Sequence, residues 1–163
     1  MARNVQDIDR GWRRIINNVR AAHRQEVVVG VLEGSKNGEG ASIAEYGAYN
    51  EFGATVKNAF GKGIEVEIPS RPFMRTSFDE NRSDINADID AQGRKLVSGE
   101  ITARAALTII GLKHKSRIQN TITGRDFLPK LADETIRRKK GSTKTLVDTG
   151  ALVNAIQISV RSK

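Results

Sequence analysis

Apolar positions along the chain fall into short blocks whose period changes from one block to the next. Over residues 5–22, Ile8, Trp12, Ile15, Ile16 and Val19 recur at spacings of three and four, with arginines between them. That spacing predicts an amphipathic helix. The block from Glu26 to Leu32 is rich in valine and predicts a buried strand. Residues 34–41 read as a turn or loop. Ser42, with Glu45 three residues on, has capping-box spacing and opens a second helix carrying Ile43, Tyr46, Gly47, Tyr49 and Phe52; Gly53 ends it. Residues 54–63 read as a hairpin loop. Ile64, Val66 and Ile68 alternate with Glu65 and Glu67, which predicts a strand with one wet face.

Pro69 stops that strand, Ser70 is placed to cap the next helix, and Pro72 suits a first helical turn. A long helix is expected over about residues 71–97. Its narrow stripe is Met74, Phe78, Ile85, Ile89 and Leu96, with Asn81 and Gln92 at the skipped positions. A second long helix is expected over about residues 102–121, its broad face made by Ala105, Ala106, Ile109, Ile110, Lys113, Ile118 and Ile122. The two are expected to pair as an antiparallel hairpin. After a loop from Gly124 to Pro129 comes a short helix, 130–140, with a basic end that suits the helix dipole. Asp148 or Thr149 is placed to cap a further short helix. Ile156, Ile158 and Val160 then alternate with polar residues in a closing strand. The sum is an α+β fold, a small antiparallel sheet of three or four strands packed against helices. A basic N-terminal helix or arm, 1–24, precedes a single domain, 25–163.

Composition narrows what this fold can do. The 163 residues suffice for one core, but apolar residues are 38% and aromatics 5%, so that core is aliphatic and modest. Cysteine is absent, which excludes disulfides, a thiol nucleophile and cysteine-ligated metals. Two histidines, His23 and His114, exclude a histidine-rich metal site within one chain. The N-terminus lacks the apolar segment of a signal peptide, and the longest apolar runs fall far short of the roughly 20 residues of a membrane span. A soluble protein of the cytoplasm, or of a particle assembled there, is expected.

Candidate chemistry is sparse. Both histidines have basic neighbours and make poor general bases, so each reads as a solvated surface residue. Asp84 and Asp88, and the pair Asp79 and Glu80, can share a helix face suited to a cation; the plainer reading is the polar side of an amphipathic helix. Gly34, Gly38 and Gly40 do not form a phosphate-binding loop, because no Gly-Lys-Ser/Thr follows the strand. No cofactor, metal or catalytic set is expected, and an enzyme is the least supported class. The net charge is +8, which permits a polyanionic neighbour. Its densest parts are the first helix, with Arg10, Arg13 and Arg14, and the run Arg137, Arg138, Lys139 and Lys140. These are the candidate DNA-facing residues, by non-specific phosphate contact; a solvated face is the alternative for each.

Four stretches in fixed order carry a resemblance. They are Ile43-Ala44-Glu45-Tyr46-Gly47 with Asn50-Glu51-Phe52-Gly53-Ala54; Ile68-Pro69-Ser70-Arg71-Pro72-Phe73-Met74-Arg75; Leu128-Pro129-Lys130-Leu131 with Thr135-Ile136-Arg137-Arg138-Lys139; and Leu146-Val147-Asp148-Thr149-Gly150-Ala151-Leu152 before a terminal strand. The set resembles the neck and tail-completion proteins of tailed bacteriophages, also described as virion morphogenesis, minor tail or head–tail joining proteins. It covers about residues 27–163. The family pattern often has a bulky aromatic, typically tryptophan, just before the Leu-Pro step; Phe127 stands there, a mild departure, and the arginine-rich first helix lies outside the pattern.

The resemblance implies a structural virion protein forming a ring between the head-side connector and the tail tube or terminator, through which DNA passes. It implies a homo-oligomer, a hexamer with a dodecamer as the alternative, portal-associated or connector neighbours, and no membrane. Phe52, Arg71, Phe73, Asp148 and Thr149 become candidate subunit or partner contacts. Fold maintenance is the rival reading for each: Arg71 either pairs with a neighbour's carboxylate or sits on the surface. The loops at 34–41, 54–63 and 141–145 are candidate docking segments. A non-specific nucleic-acid-binding protein is the alternative function.

Overall fold

The computed structural model describes residues 9–32, 34–36, 40–59, 63–139 and 143–163. In chain order the elements are α1 (Trp12–His23), β1 (Gln25–Val31), α2 (Ile43–Phe52), β2 (Ala54–Ala59), β3 (Ile64–Ile68), α3 (Phe73–Glu80), α4 (Arg82–Val97), α5 (Ala103–Gly124), α6 (Asp133–Arg138), α7 (Ala151–Ala155) and β4 (Ile156–Ser162). The class is α+β: two small antiparallel strand pairs packed against helices.

Strands from opposite ends of the chain make the first pair. β1 runs antiparallel to β4, with Val27 opposite Val160, Val29 opposite Ile158 and Val31 opposite Ile156. These side chains share one face, and α5 lies across the pair. The closest approach is at Gly111, where a Cβ would stand 2.6 Å from Val27 Cγ2 and 3.4 Å from Ile158 Cγ2. Only a residue without a side chain lets the helix sit so near the strands. The main core gathers Ile43, Phe73, Ile118, Ile122, Phe127, Leu146, Leu152, Ala155 and Ile156, so α2, α3, α5, α7 and β4 all contribute to it.

The second pair is the ribbon of β2 and β3, with Thr55 opposite Glu67 and Val56 opposite Val66. The four strands therefore form two pairs rather than one sheet. Gly53 alone separates α2 from β2, so β2 starts where α2 ends and has no connection long enough to reach an edge of β1. The segment 54–63, expected to be a loop, supplies β2. Its Thr55 and Val56 favour a strand, but the run is too short to outweigh the glycines and asparagine around it.

The helix expected over 71–97 is two helices jointed at Asn81. The Asn81 side-chain amide donates to the Ser77 carbonyl at 2.8 Å, a local bond of the kind that competes with the helix ladder. α4 buries Ile85, Gln92 and Leu96 of the expected stripe, but Asp88 turns inward where Ile89 is expected, and Ile89 is exposed. α4 and α5 pack together as expected. α1 rests on α4 and α5 without burying any residue of its own; Asn18 Nδ2 donates to the Ile101 carbonyl at 3.3 Å, and the Arg14 guanidinium lies against Gly99.

Candidate functional site

The four motif stretches meet at one junction. α2 opens on Ser42, whose Oγ accepts from the Glu45 amide at 3.3 Å, in line with the spacing. It closes at Gly53, where φ is 77° and a Cβ would stand 3.2 Å from both the Ile68 oxygen and the Ser70 nitrogen. Glu51, at the end of α2, is buried and turns its carboxylate onto the start of α3. Oε2 accepts from the Met74 amide at 2.8 Å and Oε1 from the Arg75 amide at 3.0 Å. A carboxylate on free amides at a helix start is favoured by both hydrogen bonding and the dipole. Glu51 thus takes the capping role that the sequence suggests for Ser70. Ser70 Oγ instead donates to the Glu51 carbonyl at 2.9 Å.

Arg71 extends the same junction. Its amide donates to the Asn50 carbonyl. Its guanidinium is buried, and Nη2 donates to the Pro129 carbonyl at 3.2 Å, while Nε has no partner among the described residues. Arg71 is thus neither on the surface nor free to pair with a neighbour's carboxylate. Burial pushes its pKa down, an effect that the nearby Tyr46 opposes. Lys139 closes the circuit. Its ammonium donates to the carbonyls of Lys144, Thr145 and Val147 at 3.1, 3.2 and 3.2 Å. Burial lowers its pKa, Asp148 works against that shift, and Arg71 adds to it. The fourth stretch returns to the first at Gly47, where a Cβ would lie 3.5 Å from Leu152 Cδ1 and 4.0 Å from Phe73 Cζ.

These positions sort the expected contact residues. Phe73 is 1% exposed and belongs to the core, so it is not a surface contact; its place one residue after Pro72 turns it inward. Phe52 is 70% exposed. Asp148 and Thr149 are exposed, but neither caps the next helix; the N-cap of α7 is Gly150, with no side-chain bond. Sequence reading misses Leu128, 72% exposed beside the latch at Pro129. Its neighbour Phe127 is buried, and two adjacent apolar residues give no sequence signal of which one faces out. Phe52, next to Glu51, and Leu128, next to Pro129, are thus apolar side chains beside the Arg71 junction that the described residues leave largely uncovered.

A separate polar cluster ties α4 to α5. Asp88 accepts from the Lys113 ammonium and, at 2.6 Å, from Arg117 Nη2. The Lys113 bond, then that of Arg117, hold its carboxyl below the usual range against the opposing effect of burial. Asp88 is therefore a buried helix tie and not the polar side of α4. Asp84 is exposed and does not join it. Among the described residues no group of three or more His, Cys, Asp or Glu side chains is placed to hold a metal. His114 is half-buried, edge-on to Phe78 with ring centroids 6.1 Å apart, so it is not the solvated residue its neighbours suggest. Desolvation, then Arg117, lowers its pKa.

Of the candidate DNA-facing residues, Arg10, Arg13, Arg14 and Arg137 are exposed. Lys139 is occupied by three carbonyls and is withdrawn from that set. Lys140 and the side chain of Arg138 lie outside the described residues, as do 37–39, 60–62 and 141–142 of the expected docking loops. No protein-family model matches this chain, and neither a curated protein nor a solved structure was found to match it. Among the described residues no helix is long and apolar enough to cross a membrane.

Proposed function

We propose that this chain is a structural virion protein of the bacteriophage neck or tail-completion type, assembling as a ring that joins the DNA-filled head to the tail. The observation that carries the reading is the convergence of the four stretches behind the resemblance. Glu51 caps α3, Arg71 holds Pro129, Lys139 holds 144–147, and Leu152 returns to Gly47 and Phe73. Residues scattered over a hundred positions thus serve one structural unit, and each motif has a mechanical role in it. Such a unit suits a subunit that must hold its shape under load.

The surface supports assembly as well. Phe52 and Leu128 are large exposed apolar groups beside this rigid unit, the placement expected of anchors that a neighbour covers. A ring needs a head-to-tail interface between two different faces of one chain. The copy number is proposed as six, with twelve as the alternative, and the neighbours as the head-side connector and the tail tube or terminator. Deleting the gene from the phage genome tests this. Filled heads and free tails that fail to join are expected. Normal tailed, infectious particles lacking the protein would overturn the reading.

A further inference from the structure

α1 shows a face that no described residue of its own chain covers. On a helix of 3.6 residues per turn, Arg13, Asn17, Arg20 and Arg24 follow one another at spacings of four, three and four and so line one stripe. All four are exposed. Counting about 1.5 Å per residue, the stripe is about 16 Å long. α1 contains no acidic side chain. Arg13 has an exposed carboxylate, that of Asp9, at 3.7 Å. Arg20 and Arg24 have no carboxylate partner among the described residues. Arg14 points elsewhere, against Gly99.

Cations held on one helix face, two of them without a carboxylate partner among the described residues, repel each other modestly and are favoured beside an anion. We infer that this stripe binds the phosphate backbone of duplex DNA, with Arg13, Arg20 and Arg24 as phosphate contacts and Asn17 as a neutral hydrogen-bond donor between them. A stripe of about 16 Å is long enough to meet several phosphates of a duplex, which carries one charge per about 1.7 Å of its axis. Asn18 and Ile101 fix the helix to the body of the chain, so the stripe is presented as a rigid edge. Stacking on single strands needs interleaved aromatics, and Trp12 is the one aromatic residue of α1. A membrane surface needs a broad apolar face free to sink, whereas Ile15 and Ile16 are half-buried on the chain's own side, which leaves only Trp12 and Val19 as exposed large apolar side chains of α1.

The inference rests on the ring reading only for where the DNA lies, and it replaces the 137–140 run by α1 as the DNA-facing element. Trp12, the sole tryptophan and 66% exposed, is adjacent to Arg13 and serves as the reporter. The experiment is a fluorescence titration of the full chain with a duplex of random sequence at stepped salt. Changing Arg13, Arg20 and Arg24 together to Gln is expected to reduce the slope of log affinity against log salt by about three, near 0.9 per lost phosphate contact. The same three changed to Lys should keep the slope. Lys36, Lys57 and Arg137 changed to Gln, an equal loss of charge at other exposed positions, should leave it nearly unaltered. Equal losses from both Gln sets would overturn the inference, as would no binding at low salt. A Trp12 response to vesicles of anionic phospholipid with none to DNA would overturn it in favour of a membrane surface. None of these outcomes touches the gene-deletion result, so a failed stripe and a failed ring are told apart.

Discussion

The junction around Glu51 and Arg71 and the helix α1 use polar side chains in opposite ways. At the junction, buried and half-buried polar groups serve the chain's own backbone. Glu51 meets two amides, Lys139 three carbonyls and Arg71 one carbonyl. On α1 no residue is buried and the arginines face outward. Both regions are rich in charged residues, yet a map of charge along the sequence does not separate them. The difference is whether a backbone group lacking a partner lies within reach. α3 begins beside the end of α2 and so offers its first amides to Glu51; among the described residues nothing comparable stands beside Arg13 or Arg20.

This contrast gives a ranked set of expectations for stability. Phe73→Ala, at the centre of the junction, should cost about 4 kcal/mol, the usual range for emptying a buried aromatic site, read as a shift in denaturant midpoint. Asp88→Ala should cost about 2 kcal/mol, because it takes the carboxylate from the largely covered Arg117, while Lys113 can turn to solvent. The lowered pKa of Asp88 gives this tie a pH signature. Its contribution is present above the unfolded pKa and is lost as pH falls through the lower folded value, so the wild type should weaken in acid more steeply than the alanine variant. Gly111→Ala should cost about 2 kcal/mol by overpacking against Val27, although alanine is the better helix former. A stabilised variant would show that α5 does not pack where described. His114→Gln should flatten the fall in stability below about pH 6.5, because a folded pKa under the free value penalises protonation. Trp12→Ala should change stability by less than about 0.5 kcal/mol; a larger loss would erase the distinction between the two regions.

Much of the fold is legible in the chain because it rests on local patterns. Ser42 and Glu45 announce the start of α2, Gly53 its end, and the Ile-Glu alternation announces β3. The features that escape a sequence reading depend on partners distant in the chain. The buried face of α4 follows Asp88 rather than Ile89 because Lys113 and Arg117 on α5 satisfy the carboxylate, and no pattern within α4 reveals that. Asn81 reads as a skipped stripe position but breaks the helix through its bond to Ser77. Phe73 reads as a contact because it lies in a motif, while its burial comes from Ile118, Ile122 and Leu152 arriving from elsewhere. The exposure of Leu128 and Trp12 is hidden because apolar residues are assigned inward by default.

The central claim is that the rigid junction belongs to a subunit of a neck ring. A reconstruction of the neck of the intact phage tests it most directly. A closed annulus of this chain between head and tail is expected, with Phe52 and Leu128 covered by neighbouring protein. A neck with no density for this chain, in particles that contain all their tail proteins, would contradict it.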